Sequence, residues 1–134
     1  MLPSQPPSRS DVTDARRALG AAGERLTAHY LEARGYRIVD RNVRLKNGEI
    51  DLVADHDGCL VLIEVRLRRG ASSGEALESV ARRKQGRLRR LSKEYCATLV
   101  QAPESVRIDV VAISLDRGGR VQDIVLVQNA VEDD

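Results

Sequence analysis

Four side chains in one short stretch, Glu49, Asp51, Glu64 and Arg66, have the types and spacing that handle phosphate chemistry. They lie in GEIDLVA at 48–54 and CLVLIEVRLR at 59–68, two β-rich runs around the turn-forming DHDG at 55–58, so the pattern predicts a β-hairpin with a four-residue loop. Side chains alternate along a strand, which gives Glu49, Asp51 and Val53 one face and Ile50, Leu52 and Ala54 the other. On the next strand Leu62, Glu64, Arg66 and Arg68 share a face. If the loop closes with Ala54 opposite Cys59, then Asp51 faces Leu62, Glu49 faces Glu64, and Asp51 is diagonal to Glu64. A register one residue different would scatter the group.

Carboxylates gathered on a half-buried sheet repel one another unless something positive sits among them. A divalent hard cation, Mg²⁺ or Mn²⁺, is the natural candidate, since it takes oxygen ligands, keeps several waters and needs only one or two protein carboxylates. With a phosphate substrate such an ion acidifies a water and neutralises charge developing on the scissile group, while Arg66 holds the phosphate. The competing arrangement is cross-strand salt bridges from Glu64 and Glu49 to Arg66 and Arg68, which leaves Asp51 without a clear partner.

The elements that must position these residues are legible in the apolar pattern. Residues 1–12, with three of the chain's four prolines, read as a disordered arm; 13–131 read as a single domain, and 132–134 as an acidic tail. From Thr13, apolar positions at Leu19, Ala22, Leu26, Tyr30 and Ala33 predict an amphipathic helix stopped by Gly35. Residues 36–44 form a first strand. Ser72 and Glu75 make a capping box, after which Leu77, Val80, Lys84, Leu88, Leu91 and Tyr95 keep helical spacing to about Leu99. Beyond Pro103, VRIDVVAISL, the turn DRGG at 116–119 and VQDIVLVQNAV predict a second hairpin. The order α-β-β-β-α-β-β implies an α/β fold, a mixed sheet flanked by helices.

The 134 residues carry a net charge of only +2, yet 64–93 hold ten basic and three acidic groups, a local +7. Within it RRKQGRLRR at 82–90 has six basic residues in nine and no acid, a helix face suited to a phosphate backbone. Arg outnumbers Lys 19 to 3, so composition bias contributes to this run. Three tyrosines with no Phe or Trp rule out base stacking on aromatic platforms. Cys59 and Cys96 lack metal-ligand spacing and read as small hydrophobes in a reducing cytoplasm, and no stretch is apolar over the roughly 20 residues a membrane span needs. His29 and His56 read as surface or turn histidines; the role of Asp109, near Arg107 and Arg120, is open.

The order GEIDLVA, turn, LIEVRLR closely resembles the PD-(D/E)xK nuclease core, in which an Asp on one strand and an E-x-K on the next form the metal site. More specifically, GAAGERLTAHYLEARGYRIVDRNVR, NGEIDLVA, LIEVRLR, ARRKQGRL and VRIDVVAI, spread over roughly residues 20–115, resemble the YraN family of uncharacterised bacterial proteins with a restriction-endonuclease-like fold. That family is similar to archaeal Holliday junction resolvases. The resemblance implies Asp51 and Glu64 at an Mg²⁺ or Mn²⁺ site, Glu24 as an accessory acid completing it from the first helix, and Arg66 at the lysine position. It also implies a structure-selective DNA endonuclease that works as a homodimer.

Arg66 departs from the nuclease pattern, because Arg keeps its proton and serves as a fixed phosphate clamp where Lys can act on a water. Lys84, four residues from both Val80 and Leu88, interrupts the apolar stripe and is a substitute aimed at the sheet, or a snorkelling side chain. The expectation is a metal-dependent nuclease-like protein that grips DNA through Arg68, Arg82, Arg83, Lys84 and Arg87. The alternatives are a nucleic-acid-binding module with the nuclease fold and no turnover, and a protein-interaction scaffold.

Overall fold

A computed structural model describes residues 9–69 and 85–131. The elements are α1 (Arg9–Glu32), β1 (Arg37–Leu45), β2 (Gly48–His56), β3 (Cys59–Arg69), α2 (Gln85–Ala97), β4 (Val106–Leu115) and β5 (Val121–Val127). They form the expected α/β arrangement, a five-stranded mixed sheet in the order β1-β2-β3-β4-β5 flanked by two helices. Pairing is antiparallel except between β3 and β4, which are parallel and are connected through α2. Among the described residues no helix is long and apolar enough to cross a membrane.

Each helix covers one face of the sheet, for the reason written in its apolar spacing. Ala28 and Leu31 of α1 pack on Leu52, Ala54, Val61, Ile63, Val111 and Ile113. Leu88, Leu91 and Tyr95 of α2 pack on Ile50, Val53, Leu62, Ile108 and Val110 on the opposite side. Burying one such Leu or Val side chain stabilises by about 1.5–3 kcal/mol, so the two layers supply most of what orders the strands. α1 stops where Gly35, at φ 88°, lets the Tyr36 amide reach back to the Leu31 carbonyl at 3.1 Å.

Several boundaries differ from the sequence expectation. α1 begins at Arg9, four residues before Thr13, and β5 ends at Val127, where Asn129 takes φ 52° and the Ala130 amide bonds to Ile108. The capping box at Ser72 and Glu75, and Leu77, Val80 and Lys84, lie outside the described residues, as do 1–8 and the tail 132–134. The loop of the first hairpin is two residues, not four. His56 pairs with Cys59, and Asp57 and Gly58 take φ 52° and 85°. Two successive positive φ values are the signature of a type I′ turn, which matches strand twist better than a longer loop does.

Candidate active site

The shorter turn moves the register by two residues, a shift that by itself preserves faces and brings the carboxylates closer along the chain. Leu52 pairs with Ile63 and Val53 with Leu62, so Asp51 comes level with Glu64 instead of with Leu62. The ladder ends at Leu52. Beyond it the Val65 amide donates to Asp51 Oδ2 at 2.7 Å.

Regular alternation also fails at Asp51. Ile50 and Val53 both belong to the α2-side core, whereas Leu52 belongs to the α1 side, so Ile50 and Leu52 do not share a face as strict alternation requires. On the neighbouring strand the pairs Arg41↔Leu52 and Val43↔Ile50 leave Asn42 and Asp51 unpaired between them, and Asn42 adopts φ 50°. A short polar residue tolerates that left-handed conformation. Its side chain acts on the Glu24 carboxyl of α1 and favours the charged form.

These irregularities put four carboxylates in one field. Asp51 is pushed up to about 7, chiefly by burial and next by the charge of Glu64; the Val65 amide opposes this, and Glu24 and Glu49 add smaller repulsions. Glu24 is also raised, first by burial, with Asn42 and Arg41 opposing. Glu49 is exposed and acts on this field through its charge. Glu64 is buried at 6% exposure, over a cavity of about 10 Å³ walled by Ile50, Leu62, Leu88, Leu91 and Ile108. That apolar floor is why its charge needs a counter-ion.

Arg87 of α2 supplies one. Its Nη2 lies 3.5 Å from Glu64 Oε1. Glu64 thus has a counter-ion from the helix, outside the hairpin. Gly48 lies in the same corner, where a Cβ would stand 3.4 Å from Leu91 and 3.7 Å from Arg87 Nη1, both ordinary contacts. Asn47 fixes the same corner by donating its backbone and side-chain N–H groups to the Glu94 carboxylate. Arg66 is half-buried, and its Nε and that of Arg87 are buried without a hydrogen-bond partner among the described residues. Arg68 is exposed beyond it; Arg82, Arg83 and Lys84 lie outside the described residues.

Among the described residues no group of three or more His, Cys, Asp or Glu side chains is gathered for a metal ion. Asp51 and Glu64 are the pair, with Glu24 and Glu49 contributing charge from farther off. Two hard carboxylate oxygens beside a half-buried, repulsive field fit a cation that keeps most of its waters, as Mg²⁺ does.

Asp109 and His56 turn out to serve another purpose. Asp109 is fully buried and takes Nε and Nη2 of Arg107 at 2.8 and 2.9 Å, the Tyr36 hydroxyl at 2.7 Å and the Asn129 amide at 2.9 Å. Arg107 also reaches His56 Nδ1 at 2.9 Å, and the His56 ring stacks on Tyr36 at 4.1 Å. This network ties the β2–β3 turn to β4 and to the chain after β5, away from the carboxylates.

The model of "Uncharacterised protein family UPF0102" matches residues 23–113, a span holding Glu24, Asp51, Glu64, Arg66 and Arg87. The chain belongs to the UPF0102 family. Its UPF0102 relatives include a protein of Symbiobacterium thermophilum, 46% identical over 114 residues (85% of this chain and 96% of the relative). Another, from Pelotomaculum thermopropionicum, is 42% identical over 119 residues, 89% of this chain and 99% of the relative. UPF0102 is the YraN family that the sequence resembles. Among solved structures, Pyrococcus furiosus SfsA in complex with Ca²⁺ aligns with a TM-score of 0.35 at 18% identity, covering 88% of this chain; this chain spans 65% of that one.

Proposed function

We propose that this UPF0102 protein is a metal-dependent endonuclease acting on DNA phosphodiesters, branched DNA among them. The observation that carries the reading is Asp51 level with Glu64 where β2 leaves β3, with burial first and the charge of Glu64 next pushing Asp51 up to about 7. Burying a carboxylate beside a like charge is costly to keep in a fold and is typical of functional sites. Asp51 and Glu64 would hold Mg²⁺ or Mn²⁺, with Glu24 as accessory acid and Glu49 adding charge. When bound, the cation neutralises charge developing on the phosphate and makes a water more acidic.

The chain's own residues do the rest. Arg66 and Arg87 each offer a buried Nε without an acceptor among the described residues, and a phosphate oxygen is an acceptor of the right charge. The apolar floor under Glu64 keeps bulk water from one side and strengthens these charges. Arg68, Arg82, Arg83 and Lys84 extend the grip along the backbone, so recognition follows phosphate and shape, with weak sequence selectivity. With this reading go a cytoplasmic setting, in which Cys59 and Cys96 stay free thiols, and action as a homodimer.

A second reading, a binding module without turnover, is favoured by Arg66, which keeps its proton where a Lys could act on a water. One experiment separates them: branched, single-stranded and duplex DNA and RNA are incubated with the protein in Mg²⁺ and Mn²⁺, beside Asp51→Ala and Glu64→Ala. Metal-dependent cutting lost in both variants supports the nuclease. Salt-sensitive binding without cutting supports the module, and cutting that survives both substitutions overturns the site.

A further inference from the structure

The guanidinium of Arg87 stands against one carboxylate oxygen of Glu64. Nη2 stands 3.5 Å from Oε1 of a carboxylate whose side chain is 7% exposed, while the Arg87 side chain itself is 36% exposed. Local packing brings it there: Leu88 and Leu91 anchor α2 on the sheet. A buried carboxylate facing apolar walls is stabilised by that positive charge, and a second positive charge cannot share the same oxygen without repulsion.

We infer that Arg87 is a gate on the carboxylate pair, counter-ion to Glu64 in the free protein and drawn to a phosphate when nucleic acid docks, so that substrate binding opens Glu64 to the metal. The inference rests on the metal-site reading above and adds an order of binding to it. The Nε of Arg87 supports the exchange, because the ion pair with Glu64 leaves that donor without an acceptor among the described residues and a phosphate would supply one. The partly exposed side chain can swing without unfolding α2, whose hold on the sheet comes from its leucines. By linkage, whatever a docked phosphate does for metal affinity, bound metal must do equally for phosphate affinity.

The test is Mn²⁺ affinity by titration calorimetry on the full chain, with and without a short duplex carrying non-hydrolysable phosphorothioate links, for the wild type, Arg87→Gln and Lys93→Gln. Lys93 is exposed on the same helix and controls for the loss of one positive charge. Wild-type affinity should rise about tenfold with the duplex, and Arg87→Gln should bind Mn²⁺ about tenfold tighter without it and gain little more on adding it. Lys93→Gln should behave as wild type. Equal wild-type affinity with and without duplex, or an Arg87→Gln affinity equal to that of Lys93→Gln, overturns the gate. Mn²⁺ binding unchanged in Asp51→Ala and Glu64→Ala would instead overturn the metal site itself, so the two failures are distinguishable. Circular dichroism confirms that each variant is folded. Should Arg87→Gln not fold, the wild-type comparison decides alone.

Discussion

The backbone amide of Val65 donates to Asp51 Oδ2 at 2.7 Å, just past the last β2–β3 ladder pair, Leu52↔Ile63. A side chain thus takes over where the neighbouring strand's backbone stops. The amide next to Glu64 is satisfied, and Asp51 is fixed beside Glu64 by a bond that does not depend on any cation. The carboxylate is held in place at the cost of its burial and then of repulsion from Glu64, which is the arrangement expected where function and stability pull in opposite directions.

Asp51→Asn should therefore stabilise the metal-free protein, and more so at high pH. The folded carboxyl sits near 7 against an ordinary 3.8, so the native state holds its proton longer than the unfolded chain does. For an acid shifted this way, stability is greatest below about pH 4 and is lost as pH rises toward 7, by on the order of a few kcal/mol. An amide oxygen can still accept from Val65 and carries no charge. Thermal melts of the variant and wild type at pH 5 and pH 8 check this: the variant's advantage should be larger at pH 8, and Mn²⁺ should raise the melting temperature of the wild type alone.

Arg66→Ala should weaken binding to DNA without regard to sequence. Removing one phosphate-binding charge lowers the slope of log K against log salt by about 1. Fluorescence anisotropy with a labelled duplex across a salt series reads this directly. Arg66→Lys should restore most of the affinity at low salt, since the charge returns, but not the fork-shaped donor set.

How much of this is legible in sequence depends on the scale of the device. The alternating runs locate all five strands, and the leucines of α2 locate its buried face, because both follow from apolar periodicity. The Asp57-Gly58 turn is hidden inside DHDG, where four turn-formers leave the loop length open and Asp-Gly, the stronger signal, is the one that holds. The break at Asp51 is invisible because alternation assumes a flat ladder; Asn42 within RNVR is the one residue whose type hints at a left-handed backbone. Arg87 reads in sequence as a phosphate-binding face residue. Its place beside Glu64 depends on how α2 lies across the sheet, which no local pattern encodes.

Asp109→Ala should unfold the protein readily and say nothing about catalysis. It removes the acceptor for Arg107, Tyr36 and the Asn129 amide in a site where Asp109 is 0% exposed. Breaking a buried charge pair by deleting one partner costs about 3–5 kcal/mol. Urea unfolding should show that loss in the midpoint, and a variant that keeps its fold, such as Asp109→Asn, should still bind Mn²⁺ as the wild type does. Loss of metal binding in a folded Asp109→Asn would mean that the two polar clusters are coupled.

Two glycines of the α2 corner should respond to alanine with opposite signs. Gly48 has φ 149°, a conformation that side chains resist, and its added Cβ would stand 3.4 Å from Leu91, which is ordinary contact. The penalty is therefore conformational more than steric, about 1–3 kcal/mol. Gly86 lies in α2, is exposed, and has nothing among the described residues within 4 Å of an added Cβ. There alanine improves helix propensity and trims the freedom of the unfolded chain, stabilising by about 0.4–1 kcal/mol. Urea denaturation of both variants measures the two signs. Because the 3.7 Å from the same Cβ to Arg87 Nη1 is ordinary contact too, Gly48→Ala should leave the Arg87 bridge to Glu64 in place and bind Mn²⁺ as the wild type does. A Gly86→Ala protein, stiffer but unaltered at the bridge, should bind Mn²⁺ as the wild type does.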